Sequence, residues 1–300
     1  MFLPRRRPIP LACAALAWLA LAACARDAVP RTGAAVDDFG DTIAVRALRP
    51  ARIVSLNPTT TELLFAIGAG PRVVGRTTYD AWPEAARAVP DLGPGLRPNV
   101  EAVLAARPDL VILYASEDNR DAARRLRAAG LPTVAYRVDR LADFRRVTLA
   151  LGRLTGDSAA ARLTVDTVLA TLARVRAAAS TPPHRRVFWP LWESPLLSAG
   201  GGSFLTELLE IAGARNVYAD LPQPSPTVTL EDVVRRDPDV VLTSAASRAR
   251  LLADPRWQVL RAVREGHVLV FDSTIANGPS ARVGASAAGL AALLHAPPAP

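Results

Sequence analysis

Residues 141–179, LADFRRVTLALGRLTGDSAAARLTVDTVLATLARVRAAA, decide how the rest of the chain is organised. Apolar residues recur there at three- and four-residue spacing: Leu141, Phe144, Val147, Leu151 and Leu154, then Leu163, Val165, Val168, Leu172 and Val175. That is a helical period. Ala, Leu and Arg dominate and no proline interrupts, so intrinsic propensity agrees with the period. Gly152 and Gly156 are the weak points, with room for a break or kink near Gly156-Asp157 that the sequence leaves open. An unbroken helix of this length would span about 55–60 Å at 1.5 Å per residue. The expectation is a connecting rod over 141–181 that joins two bodies.

The flanking sequence supports two bodies. Before the rod, Asn99-Val-Glu101 leads seven residues later to Pro108-Asp109 and then the run Leu-Val-Ile-Leu. After it, Thr229-Leu-Glu231 leads with the same spacing to Pro238-Asp239 and Val-Val-Leu-Thr. A polar cap, an acid in the first helical turn, a tight turn and a branched apolar run form a helix–turn–buried-strand unit. Its recurrence is an internal repeat. Strands alternate with helices through both halves, which argues parallel sheets with covered faces. The expected fold is α/β: two Rossmann-like lobes, residues 37–140 and 182–296, joined by one long rigid helix with a ligand cleft between them.

The opening of the chain reads as export rather than fold. Arg5-Arg6-Arg7 is a charged n-region and Leu11–Ala22 an apolar stretch too short to span a bilayer comfortably. Leu21-Ala22-Ala23-Cys24 then resembles a bacterial lipobox. The expectation is a lipoprotein signal peptide over 1–23, lipidation of Cys24, and a flexible tether over 24–36, placing the protein at the cell envelope on a membrane anchor. The only other cysteine, Cys13, lies within the apolar stretch. An exported product would keep one thiol and no internal disulfide. The net charge is +8 and every one of the 36 basic residues is Arg. These are scattered, without a basic stripe or an aromatic-interleaved groove, so a solvated surface rather than a nucleic-acid partner is expected.

Several stretches are candidates for chemistry. Gly200-Gly-Gly-Ser203 before a helix lacks the Lys and spacing of a P-loop and reads as a tight strand-to-helix turn. His184, His267 and His295 do not follow strands, so no metal site is expected. No Ser/His/Asp arrangement has a nucleophile-elbow context. Glu101 and Glu231 could form an acid/base pair, although an acid in a first helical turn is favoured by the helix dipole alone. Tyr79, Trp82, Tyr114, Trp189 and Trp192 fall at or just beyond the C-terminal ends of predicted strands, where open α/β sheets bind ligands. On both lobes together they suggest an aromatic-lined cleft.

The segment RIVSLNPTTTELLFAIGAGPRVVG, the two Glu repeats and GGGSFLTELLEIAGARNVYAD resemble the periplasmic cobalamin-, haem- and siderophore-binding proteins of ABC importers, over roughly residues 37–292. The resemblance implies a monomeric two-lobed receptor with a rigid connecting helix, no catalysis and no cofactor beyond the transported ligand. Its partners would be an ABC permease with its ATPase. In the cobalamin-binding branch a Tyr stands where Tyr79 is and an aromatic where Tyr114 is, whereas Gly95 and Ser225 occupy the places of other stacking residues. The family's surface glutamates, one per lobe, fall on Glu101 and Glu231 and imply permease docking. Cobalamin or a related corrinoid is the expected ligand, with Arg282 also in the binding set. A ferric siderophore or haem is the alternative, for which Arg76, Arg97 and Arg282 would be the cleft cations. A secreted hydrolase using both glutamates would need them within about 10 Å of each other.

Overall fold

The computed structural model describes residues 33–45, 49–181 and 184–296; the expected signal peptide and Cys24 lie outside them. The described chain opens with an antiparallel hairpin of β1 (Gly33–Val36) and β2 (Thr42–Val45). The tether expected over 24–36 is therefore too long at its C-terminal end, since 33–36 is strand. The Asp37 carboxylate accepts the N–H groups of Phe39 and Asp41, both at 3.0 Å, and closes the turn. Asp38 N–H then donates to the Ala135 carbonyl at 2.9 Å, tying the hairpin to the first lobe.

That lobe contains β3 (Ile53–Leu56), α1 (Pro58–Ala66), β4 (Val73–Gly75), α2 (Val100–Ala105), β5 (Leu110–Tyr114), α3 (Glu117–Ala128) and β6 (Thr133–Tyr136). Its sheet is parallel in the order β4-β3-β5-β6. Two helices follow, α4 (Leu141–Thr155) and α5 (Ser158–Ala178). The second lobe contains β7 (Arg185–Phe188), the hairpin strands β8 (Pro190–Glu193) and β9 (Leu196–Ser198), α6 (Phe204–Ile211), β10 (Ala214–Asn216) and α7 (Leu230–Arg236). It closes with β11 (Val240–Thr243), α8 (Ala245–Ala253), α9 (Arg261–Arg264), β12 (Val268–Val270) and α10 (Val283–His295). Its four-stranded sheet is again parallel, in the order β10-β7-β11-β12. The α/β two-lobe reading holds. Pro255, which lacks the N–H a helix interior needs, starts a 3₁₀ turn that separates α8 from α9.

The repeat read from sequence is physical. Asn99 and Thr229 cap α2 and α7, accepting from the N–H of Ala102 at 3.1 Å and of Asp232 at 3.2 Å. Beyond each helix the matched residues Arg107 and Asp237 both take positive φ, 48° and 40°. The Pro-Asp aspartate of each unit then pins the start of the neighbouring strand. Asp109 accepts from Ala51 N–H at 2.7 Å and Arg52 N–H at 2.9 Å, and Asp239 accepts from Arg186 N–H at 2.8 Å. Each Asp returns its own N–H to Arg52 or Arg186 carbonyl oxygen, so the repeat sets strand register in both lobes.

The rod expected over 141–181 is corrected to two helices. Gly156 ends α4 in the left-handed conformation, φ 82°, which glycine adopts without penalty. The chain turns sharply there, so that a side chain at Gly152 of α4 would collide with Ala161 of α5. Helix α4 buries Phe144, Val147 and Leu151, and the connection proper is α5, 21 residues or about 30 Å long. The lobes are not held apart by it. One apolar cluster runs from Ile53, Leu64 and Val134 through Phe144, Leu151, Val165 and Leu172 to Leu205, Val283 and Leu290. Two smaller clusters cover the outer faces of the sheets, around Val111 and Leu126 in the first lobe and around Phe188 and Val241 in the second.

Candidate functional site

The C-terminal ends of β3, β5 and β6 carry Asn57, Tyr114 and Asp139 to the side where the second lobe presents Leu191, Ser203 and Asn277. Three adjoining hollows run along this seam. The first, about 310 Å³, is lined by Leu56, Asn57, Tyr79, Gly95, Leu96 and Tyr114. The second, about 270 Å³, shares Tyr114 and Asn277 with it and adds Asp139, Leu191, Ser203 and Ser225. The third, about 390 Å³, shares Leu191 and reaches Trp192, Glu193 and Arg250. Together they form an open groove that begins at Tyr79 on one lobe, passes Tyr114 and ends at Trp192 on the other. A larger hollow of about 600 Å³ lies beside edge strand β10, lined by one lobe alone and by none of the expected site residues.

Tyr79 presents its ring because the loop beneath it is held from inside. Thr77 Oγ1 accepts the Tyr79 N–H at 3.1 Å and donates to Asp80 Oδ1 at 2.6 Å, and Thr61 Oγ1 donates to Asp80 Oδ2 at 2.6 Å. Burial raises the Asp80 carboxyl above the ordinary carboxylate range, against the two hydroxyl hydrogen bonds, which lower it. The tyrosine itself remains 63% exposed. Trp82, further along the loop, is 49% exposed and lies with the Arg282 guanidinium 5.2 Å from its ring centre.

Tyr114 ends β5 and donates its hydroxyl to both carboxylate oxygens of Asp139, at 2.9 and 3.1 Å. Burial first, and then the Asp139 charge and hydrogen bond, push the phenol well above its ordinary pKa. The Asp139 carboxyl is also raised, by burial, against the Tyr114 hydrogen bond and Arg137, which lower it. Asp139 was not anticipated from sequence, although it follows β6 as Tyr114 ends β5, and a polar residue just past a strand end is the signal that would have found it.

The other expected residues divide. Trp192 belongs to the β8–β9 hairpin and is 62% exposed, with its indole N–H donated to the Ser194 carbonyl. Trp189 is a correction: it is 4% exposed, part of the shared core, and packs edge-on against Phe271 at 5.9 Å. Arg282 spends both faces of its fork on the Glu62 carboxylate at 2.9 Å and reaches Asp272 at 3.2 Å. Arg76 donates to the carbonyls of Val89, Thr77 and Arg87. Arg97 donates to Asp118 at 2.9 Å. None of these three lines the groove. Gly95 does line it, and a side chain there would collide with the Leu56 carbonyl, so backbone forms that wall.

Glu101 and Glu231 stand in the first turns of α2 and α7, exposed, and neither lines the groove. Glu101 meets Arg125 at 2.7 Å. The three glycines 200–202 are explained by packing: side chains there would strike the carbonyls of Gln223, Ala219 and Pro222. Their N–H groups already donate to Pro224, Leu221 and Gln223, which leaves no amide cradle for a phosphate. Among the described residues, no cluster of three or more His, Cys, Asp or Glu could hold a metal ion.

Comparison with known proteins agrees with this architecture. The profile of the periplasmic binding protein family matches residues 53–274. A vitamin B12-binding protein of Vibrio parahaemolyticus is 26% identical over 235 residues, 77% of this chain and 84% of that protein. A periplasmic vitamin B12-binding protein of Vibrio cholerae superposes with a TM-score of 0.72 at 24% identity, over 82% of this chain and 97% of that one. A periplasmic haem-binding protein of Pseudomonas aeruginosa superposes with a TM-score of 0.74 at 27% identity, over 82% and 93%.

Proposed function

Because the chain belongs to the periplasmic binding protein family, we propose that it captures cobalamin or a related corrinoid and delivers it to the permease of an ABC importer. The relatives bind B12, haem or iron, so similarity leaves ligand choice to the groove. One observation carries the choice. Among the described residues the one arginine lining the groove, Arg250 at its far end, is paired with Glu193 at 3.2 Å, and Arg76, Arg97 and Arg282 stand outside it on protein acceptors. Haem and many ferric chelates carry carboxylates or other anionic groups, and burying an unpaired anion is costly. A corrin periphery carries amides, which need hydrogen bonds and no counter-ion.

The same chain acts by binding rather than by catalysis. The hydrolase alternative needs both glutamates in one groove, and Glu101 and Glu231 are on outer helix starts instead. The lipobox supports an envelope location with the mature protein anchored through Cys24. Cys24→Ser should then move the protein from the membrane to the soluble fraction, and a variant that stays acylated would end the anchor reading.

The decisive experiment is calorimetry with cyanocobalamin, haemin and a ferric siderophore on the wild type, Tyr79→Ala and Tyr114→Ala. The corrinoid should bind, and each truncation should weaken it about ten- to a hundredfold. Binding of haemin or the ferric chelate with no heat from any corrinoid would overturn the ligand assignment.

A further inference from the structure

The groove carries one carboxylate whose hydrogen-bonding capacity is largely unspent. Asp139 lies between β6 and α4, and its backbone is held from both sides. Its N–H donates to Asp143 Oδ2 at 3.2 Å, and its carbonyl accepts the Phe204 N–H of the other lobe, also at 3.2 Å. The side chain therefore stands at a fixed point of the seam. A carboxylate offers about four acceptor positions. Among the described residues only the single proton of Tyr114 is donated to it, shared between the two oxygens. Arg137 Nε lies 3.7 Å from Oδ2, too far for a hydrogen bond, and its Nη2 donates instead to the Ala115 carbonyl at 3.2 Å. The remaining acceptor positions border the hollow that Ser203, Ser225 and Asn277 also line, all of them uncharged.

We infer that Asp139 is a specificity-determining residue that accepts N–H donors from the ligand's periphery and turns away ligands presenting carboxylates at that point. This deepens the corrinoid reading and rests on it: the recognised feature is a primary amide substituent. An amide N–H supplies the donor that the carboxylate lacks. A ligand carboxylate would bring two like charges together in a partly desolvated groove, where Arg137, 3.7 Å from Asp139 and 58% exposed, offsets only part of the repulsion. Tyr114 has a positioning role here, since its hydroxyl fixes the direction of the carboxylate from the opposite side.

The test is a ratio of affinities. Cobinamide, with amide side groups, and cobyrinic acid, the same macrocycle with carboxylates, are titrated into wild type, Asp139→Asn and Tyr114→Phe at constant pH and salt. Haemin and its diamide are run beside them. Wild type should prefer the amide form of each pair. Asp139→Asn, which keeps an acceptor for Tyr114 and removes the charge, should narrow that preference about tenfold. Tyr114→Phe leaves the carboxylate in place and should hold the ratio at the wild-type value or above, even where overall affinity falls. A ratio unmoved by Asp139→Asn in a folded, binding variant overturns the inference. If no corrinoid binds wild type but the porphyrin pair does, the corrinoid reading fails and the porphyrin ratio decides Asp139 by itself. Binding of neither macrocycle overturns both.

Discussion

Arg282 and Glu62, 220 residues apart in sequence and on different lobes, meet as a bidentate pair with both N···O distances at 2.9 Å. The Glu62 side chain is 6% exposed and that of Arg282 18%. Two parallel N–H···O bonds fix orientation as well as distance. With Asp272 and the ring of Trp82 the pair forms a polar clasp on the seam.

Breaking that clasp should cost more than replacing it. Arg282→Met alone strands the buried Glu62 charge and should destabilise by about 3–5 kcal/mol, whereas Glu62→Gln leaves Arg282 its second partner, Asp272 at 3.2 Å, and should cost less. The double variant, apolar or neutral at both ends, should recover a large part of the loss. Urea unfolding of the two single variants and the double variant checks this. Equal losses in all three would show that the pair contributes only packing.

Glu101 and Glu231 should matter outside the protein rather than within it. A surface pair such as Glu101–Arg125, with side chains 73% and 53% exposed, contributes about 0–1 kcal/mol. Glu101→Ala and Glu231→Ala should therefore keep both fold stability and ligand affinity. Uptake in vesicles reconstituted with the permease should fall about tenfold or more, most in the double variant, because charge pairs buried on docking are lost. A fall in ligand affinity would assign that glutamate to the groove instead.

Asp239 should show a pH-dependent role in the repeat. Burial raises its carboxyl pKa, but the Arg186 N–H and Arg261 together outweigh this and hold it below the usual value of 3.8. The unfolded chain then binds the proton first as pH falls, so the stabilisation is complete above about 3.8 and is lost as pH drops through the folded-state value. Asp239→Asn keeps the acceptor and removes the charge. It should cost about 1 kcal/mol at pH 7, a modest figure because the side chain is 39% exposed. The gap from wild type should narrow as pH falls below 3.8 in parallel denaturant titrations. A gap independent of pH would assign the effect to shape alone.

The sequence disclosed what local rules govern. The repeat of cap, first-turn acid and Pro-Asp was legible because each part has its own local job, seen in the Asn99 and Thr229 caps and the Asp109 and Asp239 strand anchors. The turn at Gly156 was legible only as a weak point, since helical period and propensity continue across it and tertiary packing decides. Trp189 follows β7 directly and Trp192 lies in β8, so one ring is core and the other exposed, and the hairpin that begins between them gave no signal in a proline-flanked stretch. The Glu62–Arg282 clasp and the Tyr114–Asp139 bond join residues that no short-range pattern links.

The apolar cluster that crosses from one lobe to the other through α4, α5 and α10 makes the two halves a single cooperative unit. Neither half can melt while the other keeps its interior, since each completes the other's packing. Heat should meet one transition rather than two, and a ligand held by the first lobe protects the second as well. That mutual dependence is a form of durability. The same dependence rules out wide independent swings of the halves, so a permease would sense cargo through small adjustments at the rim rather than through a gross change of shape.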